Sequence, residues 1–180
     1  SECVASNALP STSVDLEADF SILNYLAYGA WTSGFYEDEL GTKTWMFTNS
    51  SISNATRGSR FMQLTFACNP DSDVWNGTVD LLQVEEDNKL TQPEFENFSG
   101  LGYISVRLDD AAIEKWKAIT LYGDSIFFAL GSAKSMSAYV WALLNTLSKS
   151  QTFAMNAQSF DGMTESAKFD LTGTKEVAAK

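Results

Sequence analysis

The segment from Phe61 to Cys68 alternates with a period of two: Met62, Leu64, Phe66 and Cys68 fall on one side, and Phe61, Gln63, Thr65 and Ala67 on the other. Successive side chains of a β-strand point to opposite faces, whereas a helix would scatter these four apolar groups around its circumference. The pattern therefore predicts a strand whose Met62–Cys68 face is buried. A strand must pair its backbone groups with neighbours, so the chain has to build a sheet, and the rest of the sequence supplies the pieces. Strands are expected around Trp45 and Phe47 (42–48), over 73–84 with a break or bulge at Asn76-Gly77, and over 103–108. Two hairpins are marked by turn dipeptides. Gly123-Asp124 separates strands at 116–122 and 125–130, and Asp161-Gly162 separates strands at 152–159 and 164–171. The polar stretch 85–100, with Pro93, reads as a long loop.

Helical periodicity occurs in two places. Met136, Tyr139, Val140, Leu143, Leu144 and Leu147 form a continuous apolar stripe over 135–147. Leu16, Phe20, Leu23 and Ala27 predict a short N-terminal helix with Ser13 as its cap. Residues 1–12 read as an extended arm and 13–180 as one domain, with a last helical piece after Gly173. The expected fold is mainly β (α+β). It is an antiparallel β-sandwich or partly open barrel with one crossover helix and the short N-terminal helix.

Composition then narrows the chemistry. Of 180 residues, 12 are Lys or Arg and 23 Asp or Glu, a net charge of −11, and 44% are hydrophobic. That apolar fraction is that of a folded protein, and no run approaches the ~20 apolar residues of a membrane span. An acidic chain is repelled by phosphate backbones unless it carries a local basic patch, and no run of Lys or Arg exists, so nucleic acid is not an expected partner. Histidine is absent, which removes the commonest general base and the usual zinc or copper ligand.

That absence decides one motif. Gly123-Asp124-Ser125-Ile126 matches the short signature of GDS-type esterases, but the serine would have no histidine to take its proton. A hairpin turn explains it better. Glu37-Asp38-Glu39 and Asp109-Asp110 are candidate carboxylate pairs for a hydrolase, and acid clusters in such a chain are more often solvated surface. Asn69, Asp71 and Asp73 have the spacing of a calcium loop, but Val74 stands where that loop needs glycine. No catalytic, metal or cofactor-binding residues are assigned, and no cofactor is expected. The five tryptophans are anchors of a core or platforms for sugars, with Trp116 and Trp141 assigned to the core. Arg107 is expected to form an ion pair with a neighbouring strand rather than to meet a ligand. Asn-x-Ser/Thr sequons stand at Asn49, Asn54, Asn76 and Asn97.

Cys3 and Cys68 have no metal or redox spacing. In an oxidising compartment they would form one disulfide tying the arm to the sheet; in a reducing one they would be two unrelated thiols. A first residue other than methionine suits a mature form after signal-peptide removal, and equally a trimmed chain.

The order of several landmarks carries a resemblance. Trp31 precedes Asp38-Glu39-Leu40-Gly41, then Leu64-Thr65-Phe66-Ala67-Cys68 and Trp75, then Arg107-Leu108-Asp109, Trp116 and the helix opening at Ser135. The end holds Phe160-Asp161-Gly162 and Ala167-Lys168-Phe169-Asp170-Leu171-Thr172-Gly173. From Trp31 to Ala178 this resembles the VasI family of type VI secretion accessory proteins and, more distantly, the invasion-associated locus B proteins. One departure is at the N-terminus, where such proteins tend to carry a cysteine pair and this chain has Cys3 alone. The resemblance implies a periplasmic or secreted, non-enzymatic accessory domain whose partner is another protein of the envelope or secretion apparatus. The alternatives are a carboxylate-based hydrolase and a module for carbohydrate or another small ligand.

Overall fold

A computed structural model of the chain describes residues 26–28, 30–51, 53–54, 60–69, 74–85, 89–95, 102–121, 123 and 125–178. Twelve strands belong to one open, antiparallel sheet: β1 (Leu26–Tyr28), β2 (Trp31–Glu37), β3 (Lys43–Ser50), β4 (Ser53–Asn54), β5 (Arg60–Asn69), β6 (Val74–Val84), β7 (Leu90–Thr91), β8 (Gly102–Leu108), β9 (Glu114–Leu121), β10 (Ser125–Phe128), β11 (Thr152–Gln158) and β12 (Thr164–Asp170). Their order across the sheet is β1-β2-β3-β5-β6-β10-β9-β8-β11-β12-β4, with β7 on the margin of β6. The mainly β expectation therefore stands. The sheet curls so that its ends approach: β3 leads into β4, β4 pairs with β12, and Asn49 Nδ2 of β3 donates to the Asp170 carbonyl at the end of β12 (2.5 Å).

The alternation at 61–68 works as its period requires. Met62, Leu64, Phe66 and Cys68 are all buried, while the residues between them are half-buried. β6 pairs with β5 from Val74 to Gln83 without a break, so the bulge expected at Asn76-Gly77 is not there. Gly77 serves a different purpose. It lies directly across from Phe66, and a Cβ on it would stand 2.9 Å from the Phe66 ring and 3.1 Å from Val140. Glycine is required for that close approach, because any side chain would displace the ring or the helix.

That helix is α1 (Met136–Leu147), which carries the chain from β10 past β9 and β8 to β11. Ser135 caps it, its side chain accepting a hydrogen bond from the Ala138 amide (3.2 Å). Val140, Leu143, Leu144 and Leu147 are buried as the stripe predicts, while Met136 at its start is exposed. Ser137 Oγ accepts the Trp75 backbone N–H (3.0 Å), and Trp141 meets Trp75 edge to face (5.0 Å). Both expected hairpins form, pairing Leu121 with Ser125 and Gln158 with Thr164. Within the polar stretch 85–100, β7 and a bridge from Phe95 to Ser159 tie the chain down.

The N-terminal arm and Leu16, Phe20 and Leu23 lie outside the described residues. Ala27, the last member of that apolar face, sits in β1 rather than in a helix. A three-residue strand pairs with β2 here, so tertiary pairing overrides the local period. At the other end, α2 (Thr174–Ala178) follows Gly173, whose φ of +93° is a left-handed conformation that favours glycine. Trp31 and α2 are joined through Trp31 Nε1 donating to Thr174 Oγ1 (2.9 Å), and Ala30 N donates to the Thr172 carbonyl (2.9 Å).

Candidate functional site

Strands β9, β8, β11 and β12 are adjacent, and their shared outer side forms a face built from three rows. In the first, Lys117 stands opposite Tyr103, and Gln158 opposite Thr164. In the second, Lys115, Ser105, Asn156 and Ser166 are paired in turn across all four strands. In the third, Arg107 faces Ala154, and Ala154 faces Lys168, with Ile113 at the β9 side. Lys115, Lys117, Arg107 and Lys168 are all exposed, and none has an ion pair among the described residues. No carboxylate occurs in these three rows, which carry +4 in a chain of net charge −11; the next row on the same side holds Asp170, opposite Thr152. The positions are scattered over 107–168, and only strand pairing brings them together.

The face is not flat. A cavity of about 370 Å³ is bounded by Tyr103, Ser105, Asn156, Gln158 and Thr164, and one of about 200 Å³ by Ser105, Arg107, Ile113, Ala154 and Asn156. They meet at Ser105 and Asn156. Ser166 Oγ donates to Asn156 Oδ1 (2.7 Å), which occupies the amide carbonyl and leaves its two N–H donors for other acceptors. Tyr103 and Ile113 are the exposed apolar groups of the face, at 59% and 71%. Beneath it the rings of Trp116, Phe153 and Phe169 stack in a row at 5.5 and 5.9 Å, a rigid floor for the strands.

The lower margin is acidic but committed. Asp109, at φ +50° in the turn after β8, accepts the Thr152 and Gln151 amides at 2.9 and 2.8 Å. Those backbone bonds, that of Thr152 first, hold its carboxyl below the usual range. Asp170 is lowered likewise by the Thr172 hydroxyl and then by the Thr172 amide. The carboxylates of the Asp109-Asp110 and Glu37-Asp38-Glu39 groups are thus partly engaged in turns: Asp38 Oδ1 accepts the Leu40 and Thr42 amides. A hydrolytic acid needs a raised pKa, and Asp109 has a lowered one.

Arg107 overturns the ion-pair expectation, because its cross-strand neighbour is Ala154. The buried ion pair is elsewhere. Arg60 Nη1 donates to Glu165 Oε1 (2.7 Å), with the Glu165 side chain fully buried; Nε donates to Gln83 Oε1 (2.7 Å), and Nη2 lies 3.8 Å from Asp161 Oδ2. This guanidinium borders a third cavity, of about 350 Å³, with Glu94, Ser159, Phe160 and Asp161. Neither Arg60 nor Glu165 is marked by any motif; only the inward position of Glu165 on the strand could have singled it out.

The other sequence candidates are placed as follows. Ser125 begins β10 and donates to Asp80 Oδ1 (2.5 Å) beside the turn at Gly123, as a hairpin reading requires; Asp124 lies outside the described residues. Asn69 ends β5, and Asp71 and Asp73 lie outside the described residues; among those described, no acidic, histidine or cysteine cluster could hold a metal. Trp31, Trp75 and Trp116 are buried, and Trp45 and Trp141 are half-buried against the core, so none is an exposed sugar platform. Cys68 is buried, and Cys3 lies outside the described residues. No described helix is long and apolar enough to cross a membrane. No family model, curated protein or solved structure matches this chain.

Proposed function

We propose that this chain is a non-enzymatic binding protein of the bacterial envelope or secreted space, an accessory to other proteins there, and that it binds through the outer face of β8, β9, β11 and β12. The observation that carries the reading is the segregation of charge: three carboxylate-free rows with four exposed cations and two cavities, on a chain with almost twice as many acids as bases. Charges placed without partners contribute little to folding, and a field of this sign gathered on one face is a use of charge suited to steering a partner. The landmark order from Trp31 to Gly173 supports the accessory role and the exported setting. In that setting Cys3 and Cys68 form a disulfide that ties the arm to β5.

The test places a photo-cross-linking side chain at position 158 on the face and, separately, at exposed position 176 on α2, in a bacterium producing the full chain. Adducts to a discrete component of the envelope fraction are expected from 158 alone, and are lost when R107E and K117E are added. Intact mass without reductant is expected to show the Cys3–Cys68 bond. Equal adducts from both positions, or a cytosolic chain with two free thiols, would overturn the proposal.

A further inference from the structure

We infer that the face takes an extended, carboxylate-rich peptide segment of a partner protein, laid along the strand direction with its acidic side chains on Lys115, Lys117, Arg107 and Lys168. This rests on the preceding reading that the outer face is the binding surface, and it names what that surface recognises.

Size sets the first constraint. Four strands ~4.8 Å apart and three rows ~6.7 Å apart give a footprint of roughly 400 Å² once side chains are included. That is about half of what each partner buries in a standard protein–protein interface, so the face suits a segment rather than a domain. Spacing gives the second. Lys115 and Lys117 are two positions apart on one strand and so present ammonium groups ~6.7 Å apart at their bases. An extended peptide with acids at every second residue repeats at nearly the same interval.

The chemistry between the cations gives the third. Asn156, with its carbonyl occupied by Ser166, offers N–H donors where the two cavities meet. Ser105 beside it offers a hydroxyl. Such donors suit carboxylate oxygens and peptide carbonyls, and bonds to the charged group are about twice as strong as neutral ones. Arg107 adds a planar fork matched to a carboxylate. Tyr103 and Ile113, exposed at opposite ends of the face, provide apolar contact for the segment's intervening side chains; tyrosine and arginine are the residue types enriched at interface hot spots. A single aromatic does not make the series of stacking platforms used for single-stranded nucleic acid. Asp109 and Asp170 stand one row, ~6.7 Å, beyond Arg107 and Lys168 and offset part of the field at that margin. Charges beyond ~8 Å are screened at physiological salt, so the field is strongest around Lys115 and Lys117.

The experiment measures fluorescence anisotropy of a labelled peptide of alternating Glu and Thr against the full chain, alongside an oligogalacturonate of matched charge. The peptide is expected to bind more tightly than the glycan. Its affinity should drop about tenfold or more in the K115E/K117E variant and in R107E, weaken with added salt, fall in N156L, and stay unchanged in K134E on the loop before α1. Equal binding of peptide and oligogalacturonate, or preference for the glycan, would overturn the peptide assignment. So would an affinity indifferent to N156L, since charge alone would then be read. If neither probe binds while position 158 still cross-links to its envelope component, the peptide inference fails and the binding face stands.

Discussion

The outer face of β8, β9, β11 and β12 and the cavity beside Arg60 use charge in opposite ways. On the face, four cations stand in solvent with no partner among the described residues. At the cavity, one guanidinium is shared by Gln83, Glu165 and Asp161, and the Glu165 carboxylate is cut off from water altogether. Removing two charges from water costs several kcal/mol per ion, and their attraction repays that only in good geometry. A sealed pair is therefore a commitment made at folding. An exposed cation on a sheet makes no such commitment and keeps its hydration to exchange for a ligand. The difference separates what holds this molecule together from what it presents.

The contrast can be broken most severely at Arg60. R60M should cost about 3–5 kcal/mol in chemical denaturation, because it leaves the Glu165 carboxylate buried without a counter-charge. Removing both charges in R60M/E165M should recover most of that loss. A small effect of R60M would mean the cavity end is as solvent-adapted as the face. Next comes G77A, at about 1–3 kcal/mol from the clash with the Phe66 ring and Val140, read as a lower urea midpoint. T174V should cost about 1–3 kcal/mol by stranding the Trp31 indole N–H, read the same way.

The face should be nearly silent in such assays. Each of K115E, K117E and K168E is expected to stay within about 0.5 kcal/mol of the parent; a larger loss would show that these lysines serve the fold. The smallest effect concerns the acidic margin. The Asp109 carboxyl is lowered from 3.8 by the Thr152 and Gln151 amides. Its contribution is therefore present above the unfolded pKa and lost as pH falls through the lowered folded value. Parent protein should be more stable than D109N at pH 7, and thermal melts should converge once pH drops well below 3.8.

How much of this was legible beforehand depended on the distance over which each feature is encoded. The Phe61–Cys68 strand, the hairpins at Gly123 and Asp161-Gly162, and the Val140–Leu147 stripe are written in periods of two or 3.6 and in turn dipeptides, all local. Gly77 was visible as a glycine in a strand, but its reason, the Phe66 ring across the ladder and Val140 on α1, belongs to two other elements. The basic face was invisible for the same cause. A search for runs of Lys and Arg cannot find Lys115, Arg107 and Lys168, which become neighbours only when β9, β8, β11 and β12 pair in one register. Glu165 illustrates the reverse error: a glutamate in an acidic chain reads as surface until Arg60, 105 positions away, is seen to cover it.

The contact between Trp31 and Thr174 spans 143 positions, and it sets an order of events. Long-range contacts form only after the intervening chain has paid the entropy of closing its loop. The indole N–H of β2 thus has only water to donate to until α2 has been delivered. A chain halted before Thr174 would hold most of its strands yet expose an unsealed tryptophan at the seam. Completion of the sheet is in that sense a signal that the last turn has arrived.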